Sequence, residues 1–214
     1  MYIQRIDHSV YTLLTNTYEK KEGSAMKSLI AKKNLSLTIF FSILSLLFII
    51  IMAVQPDFFN WTFARHQNIL SWYIRPLFLI PFCFFAYRHN PAGIALTLLL
   101  LLTSMFWFPV PVSVNEQVTE FLQMEKDYLT LGWSASKILL TLLVPLSLSF
   151  LAIALWKRSI KFAILIIALI AAAKILWSVV AGGESGESVI IPAIIGLLIC
   201  IVAVYFGYRI LEKK

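Results

Sequence analysis

Six long runs of mostly apolar residues decide what this chain can become. They cover residues 35–54, 69–87, 94–110, 136–156, 162–182 and 189–208. A helix needs roughly 20 apolar residues to cross the hydrocarbon core of a bilayer. One globular core of a 214-residue chain has no room for six such runs, and only 14% of the residues are charged, against about 25% in a soluble domain. The fold class that follows is an all-α integral membrane protein with six transmembrane helices. The third run is the shortest, and Pro109 and Pro111 end it, because proline cannot continue a helix.

Lysine and arginine mark the cytoplasmic side of a membrane protein. Lys20, Lys21, Lys27, Lys32 and Lys33 precede the first run, and Arg88 lies between the second and third. Lys157, Arg158 and Lys161 lie between the fourth and fifth, and Arg209, Lys213 and Lys214 follow the sixth. The alternate loops hold only Arg65, Lys126 and Lys137, together with Asp57, Glu116, Glu120, Glu125, Asp127, Glu184 and Glu187. This alternation predicts both termini in the cytoplasm, a cytoplasmic tail over 1–34 and a membrane domain over 35–214. The expected location is a cell membrane crossed several times, of the bacterial plasma-membrane kind.

The net charge of +7 is not read as a nucleic-acid footprint, since the basic residues sit in short clusters beside apolar runs, where they set topology and meet lipid headgroups. Met26 opens a second plausible start. The apolar run after it is longer than a signal peptide's 7–15 residues and has no small-x-small cleavage pattern, so it reads as an uncleaved anchor. Cys83 and Cys200 both lie inside apolar runs and read as small apolar fillers. No internal repeat supports an inverted-repeat transporter.

The longest outer loop, PVSVNEQVTEFLQMEKDYLTLGW, carries a helical pattern. Ser113 with Glu116 three residues on predicts a capping box, and the helix is expected over 114–131. At 100° per residue, Val118, Phe121, Leu122, Tyr128 and Leu129 share one face, and Glu116, Thr119, Glu120, Gln123, Asp127 and Thr130 share the other. The polar face is acidic rather than basic, which favours packing on protein over packing on anionic lipid. Glu125 breaks the pattern. It lies seven residues after Val118, inside the apolar arc, where an unpaired carboxylate is costly. It needs a cation beneath it.

Two cations lie within the runs, Arg75 and Lys174. At 1.5 Å per residue they sit about 9 Å and about 12 Å below the outer ends of their helices. A charge inside a span costs about 2.5–3.5 kcal/mol on insertion scales and is usually turned inward and paired. Neighbouring polar and aromatic residues, Ser71, Trp72, Ser104, Trp107, Trp177 and Ser178, recur at the same level. The expectation is an outward-facing chamber floored by Arg75 and Lys174, walled by these residues and roofed by the loop helix with Glu125 pointing in. Against it stands a plainer arrangement, a structural Lys174–Glu125 bolt under an ordinary aromatic belt. On the sixth run Pro192, Gly196, Cys200, Ala203 and Gly207 predict a close-packed helix face, and Pro76 and Pro81 predict a kink in the second.

No G-x-S-x-G, H-E-x-x-H or phosphate-loop motif is present. His66, in ARHQN, reads as a solvated loop histidine, with acid–base work alongside Asp57 or Glu125 as the alternative. His89 falls on the opposite side. No catalytic residue, metal site or cofactor is assigned, and an enzyme is the less favoured class. Three functions remain open: binding or transport of an anionic or amphipathic ligand from the outer side, an accessory or assembly subunit of a membrane complex, and a membrane enzyme acting on a lipid-linked substrate. The expected partners are the bilayer, a lipid or anionic small molecule, and another membrane protein, with no nucleic acid.

Overall fold

A computed structural model describes the backbone of residues 8–213 and the side chains of residues 28–211 and 213. The first residues of the expected tail, 1–7, lie outside the described residues. The described residues are almost entirely helical, with no strand among them. Its helices are α1 (His8–Val54), α2 (Pro56–His66), α3 (Leu70–Leu77), α4 (Leu79–Tyr87), α5 (Pro91–Thr103), α6 (Glu116–Thr130), α7 (Ala135–Trp156), α8 (Ile160–Gly182) and α9 (Ile190–Glu212).

Four stretches are long and apolar enough to cross a membrane: Ser28–Val54, Leu70–Tyr87, Ala135–Trp156 and Ile160–Leu211. The six expected runs reduce to four for two reasons. The third run is helical only over Pro91–Phe106 and falls short of spanning length, so it stops earlier than 110. The fifth and sixth merge into one 52-residue stretch that folds back on itself at a 3₁₀ turn, Gly183–Val189. Ile167 on α8 and Cys200 on α9 share one core, which a straight helix would hold about 50 Å apart. The turn depends on two glycines. Gly183 has φ +56°, a region that side chains avoid. A Cβ on Gly186 would run into the Ser178 carbonyl oxygen.

The main core joins Phe82, Cys83 and Ala86 of α4, Leu151 and Leu155 of α7, Ala163 and Ile167 of α8, and Cys200 and Val204 of α9. Large apolar side chains elsewhere stay exposed along the flanks of α1, α7, α8 and α9. The accessible surface is 14472 Å², whereas a soluble monomer of this mass exposes about 10,000 Å².

The helix of the second run is interrupted where the prolines predict a kink. Pro81 has no N–H for the Leu77 carbonyl, and the helix breaks at Phe78. The Pro76 carbonyl is taken up by the Cys200 thiol, which donates to it at 3.2 Å. Gly196 lies directly against Pro76, so the small face of α9 does allow α3 to approach. Its lower end departs from the pattern, because nothing approaches Gly207 and Val204, not Ala203, is buried.

Two loops differ from expectation. Residues 56–66, in the outer loop between the first and second runs, form a helix. Pro56 stands at its start and Asp57 in its first turn, as helix N-termini favour. The loop helix α6 runs Glu116–Thr130 without the Ser113–Glu116 capping box. Asn115 is the cap instead, its side chain accepting from the Gln117 N–H at 2.8 Å. Val118, Phe121 and Leu122 are buried as the periodicity predicts, and Leu129 is not. Together α2, α6 and the 183–189 turn close one end of the bundle over a second core of Phe59, Phe63, Trp72, Val118, Phe121, Leu122 and Val189.

Candidate functional site

Beneath this cap four ionisable groups meet. Glu125 on α6 points down, and Lys174 Nζ donates to its Oε1 at 2.8 Å. The ammonium also lies 5.2 Å from the centre of the Phe121 ring and 4.9 Å from that of Trp177. The helical spacing Phe121, Glu125, Tyr128 aligns ring, carboxylate and phenol on one stripe. Tyr128 packs edge-on against Trp177 at 5.4 Å, and its hydroxyl donates to the Lys137 carbonyl on α7 at 3.2 Å.

Arg75 has a different partner. Its Nη1 donates to Nε2 of His66 at 3.1 Å. An arginine only donates, so Nε2 must carry a lone pair. The imidazole is therefore neutral, with its proton on Nδ1, which donates to Ser71 Oγ at 2.7 Å. Ser71 Oγ in turn donates to the Asn68 carbonyl at 2.7 Å. Trp72 Nε1 donates to the His66 carbonyl at 3.0 Å and fixes the end of α2. Burial holds His66 well below its usual value near 6.5, and the charges of Arg75 and then Lys174 act in the same direction. Glu125 also lies within electrostatic reach of Arg75.

The solvated-loop reading of His66 is thereby corrected, since the side chain is 4% exposed. A sequence signal for it existed. Phe59, Thr62, Phe63 and His66, all buried in α2, follow the three-and-four spacing of a helix face.

The expected chamber residues divide. Ser71, Trp72 and Trp177 join the cluster, with Trp72 and Trp177 flanking Phe121 at 5.6 and 6.3 Å. Ser178, one turn beyond Lys174, is fully buried, and its hydroxyl has no hydrogen-bond partner. Ser104 donates to the Leu101 carbonyl of its own helix. Trp107 is exposed and packs against Phe78 at 5.5 Å. Neither is drawn to Lys174. A cleft of about 120 Å³ lies elsewhere, between α2 and α6, lined by Asn60, Phe63, Gln67, Thr119, Gln123 and Lys126 among others. His89 sits at the far end of the bundle, stacked on Trp156 at 4.6 Å. Among the described residues no three His, Cys, Asp or Glu side chains group as metal ligands would.

No protein-family model, no curated protein and no solved structure matches this chain.

Proposed function

We propose that this protein crosses a plasma membrane six times, with both termini cytoplasmic, and binds or transports an anionic or amphipathic ligand from the outer side. The alternation of basic and acidic loops supports the orientation. Pro91–Phe106 makes the shortest crossing, continued by the segment up to Pro109. The observation that carries the ligand reading is a charge imbalance: of the two cations only Lys174 pairs with a carboxylate, Glu125, while Arg75 bonds His66, which is neutral. One positive charge is left over beneath the cap, in surroundings where water screens poorly. A negatively charged group is its natural complement.

One observation favours a second reading, an accessory or assembly subunit. Each cation already has a partner within the chain, Arg75 in His66 and Lys174 in Glu125, and the exposed acidic face of α6 would then meet another membrane protein. A membrane enzyme acting on a lipid-linked substrate ranks below both, because His66 has both ring nitrogens engaged.

Native mass spectrometry of gently purified wild type, Arg75→Gln and Lys174→Gln separates these readings. An anionic lipid or metabolite that is present in the wild type and lost in the variants supports the first. Wild type without such a ligand, or the same protein partner in all three samples, refutes it and supports the second. The orientation is tested with single cysteines at Glu120 and Arg158 in a Cys83→Ala, Cys200→Ala background. Membrane-impermeant maleimide should label the first in intact cells and the second only after lysis.

A further inference from the structure

The packing of α7 against α8 stops halfway along both helices. On α7 the stripe facing the bundle reads Leu155, Leu151, Leu148, Val144, Thr141, at three- and four-residue steps. On α8 the matching stripe reads Ala163, Ile167, Ile170, Lys174. The lower members are packed: Leu151, Leu155, Ala163 and Ile167 lie in the core, with Leu148 and Ile170 resting on it. Above that level the same stripes are open. Val144 is 63% exposed, Thr141 is exposed, and the Lys174 side chain is 45% exposed. At the top, Tyr128 bridges the two helices, touching Trp177 on α8 and Thr141 on α7. Lys137 closes the corner by donating to the Tyr128 and Leu131 carbonyls.

These open stripes form a lateral slot, with Leu148 and Ile170 at its lower end, Tyr128 at its upper end and, at its side, the Lys174 ammonium, which already pairs with Glu125. We infer that this slot holds one anionic phospholipid of the outer leaflet, with its phosphate at Lys174 and an acyl chain lying along Val144 towards Leu148. The inference rests on the proposed function and deepens it, naming the ligand class and a lateral route of entry. Charge complementarity selects the occupant. Two ammonium groups, Lys137 and Lys174, border the upper slot against one carboxylate, and Arg75 adds positive potential behind them. A zwitterionic lipid fits the apolar lower end equally well but gains less from this field. An aqueous anion gains nothing from that end.

The test is native mass spectrometry of detergent-purified protein titrated with phosphatidylglycerol or phosphatidylcholine. The variants are Lys174→Gln, Arg75→Gln, Val144→Trp, which fills the slot without touching a charge, and Leu139→Trp, on another face of α7. Phosphatidylglycerol should bind more tightly than phosphatidylcholine. Lys174→Gln should weaken it about fivefold, the factor that one basic residue near an anionic lipid supplies. Val144→Trp should weaken it at least as much, and Leu139→Trp should leave it unchanged. Phosphatidylglycerol binding that needs Arg75 but tolerates Val144→Trp overturns the slot and leaves the proposed function standing. Equal binding of both lipids, insensitive to Lys174→Gln, overturns the slot as mere lipid solvation. If Arg75→Gln then also changes nothing, the proposed function falls with it.

Discussion

The Lys174–Glu125 contact yields a sharp quantitative prediction, because Arg75 is a rival partner in the same cluster. The perturbations are Glu125→Gln, Lys174→Gln and Arg75→Gln, alone and in the two pairs that include Glu125. At 2.8 Å and an effective dielectric of about 20, the gross attraction is about 6 kcal/mol. Most of that is offset by desolvation and by holding a long side chain still. The Lys174 side chain is 45% exposed and that of Glu125 19%, so the pair belongs near the upper end of exposed pairs, about 1 kcal/mol. The contacts of Lys174 with Phe121 and Trp177 survive Glu125→Gln and therefore drop out of the coupling. Arg75 makes its hydrogen bond to His66 and feels Glu125 only at longer range, so its coupling should stay within about 0.5 kcal/mol, the limit of ordinary additivity. Reversible unfolding in mixed micelles measures both cycles. A larger Arg75–Glu125 coupling than Lys174–Glu125 coupling, or strict additivity of the latter, refutes the assignment of partners.

Three further outcomes follow from the same geometry. His66 is neutral in the folded state and protonates near 6.5 when unfolded, so its contribution to stability is complete above about pH 6.5 and is lost as pH falls from there through the depressed folded value. His66→Gln, which keeps an acceptor for Arg75, should flatten that part of the stability–pH curve, and parallel curves for variant and wild type would contradict the neutral tautomer. Gly186→Ala forces a methyl group into the Ser178 carbonyl and should cost about 3 kcal/mol or more, visible as lost monodisperse protein on gel filtration, and a well-behaved variant would mean that the turn is looser than described. Gly196→Leu drives a side chain into Pro76 and should separate α3 from α9, exposing the Cys200 thiol to maleimide. Unchanged protection of that thiol would argue against the close contact.

The helical class and the cap helix α6 were legible in the sequence because each rests on a single periodicity. Twenty apolar residues have few alternatives to a helix in lipid, and the Val118, Phe121, Leu122 spacing fixes the buried face of α6. Glu125 was legible as an exception to that face, and its need for a cation followed from desolvation alone. Which cation it takes was not legible. Arg75 and Lys174 lie at similar depths, and only the lateral placement of α8 beneath α6 brings Lys174 to it. The α2 helix was missed because Asp57, Asn60, Arg65 and His66 dilute a short segment that buries just one narrow stripe. The Ser113 cap failed for a local reason. Asn115 lies closer to the first helical turn and is an equally strong cap, so it took the role and pushed Ser113 outside.

The arginine in the second apolar run sets the charge balance of the cluster. A structural ion pair in a membrane is cheapest when every cation faces its own carboxylate, because the pair then leaves no net charge. Arg75 instead donates to a neutral imidazole, which satisfies a hydrogen bond and neutralises nothing. The imidazole is held neutral by burial and by the two cations beside it, so it supplies no compensating charge, and protonation would only add to the excess. Glu125 is already engaged by Lys174. A second carboxylate would have been the simple way to remove the imbalance, and the exposed acids of α6, Glu116, Glu120 and Asp127, lie on its outward face. The cluster therefore keeps one positive charge that no carboxylate among the described residues pairs with. An anionic ligand supplies the missing charge at least cost, and on that ground the ligand reading stands ahead of the accessory-subunit reading.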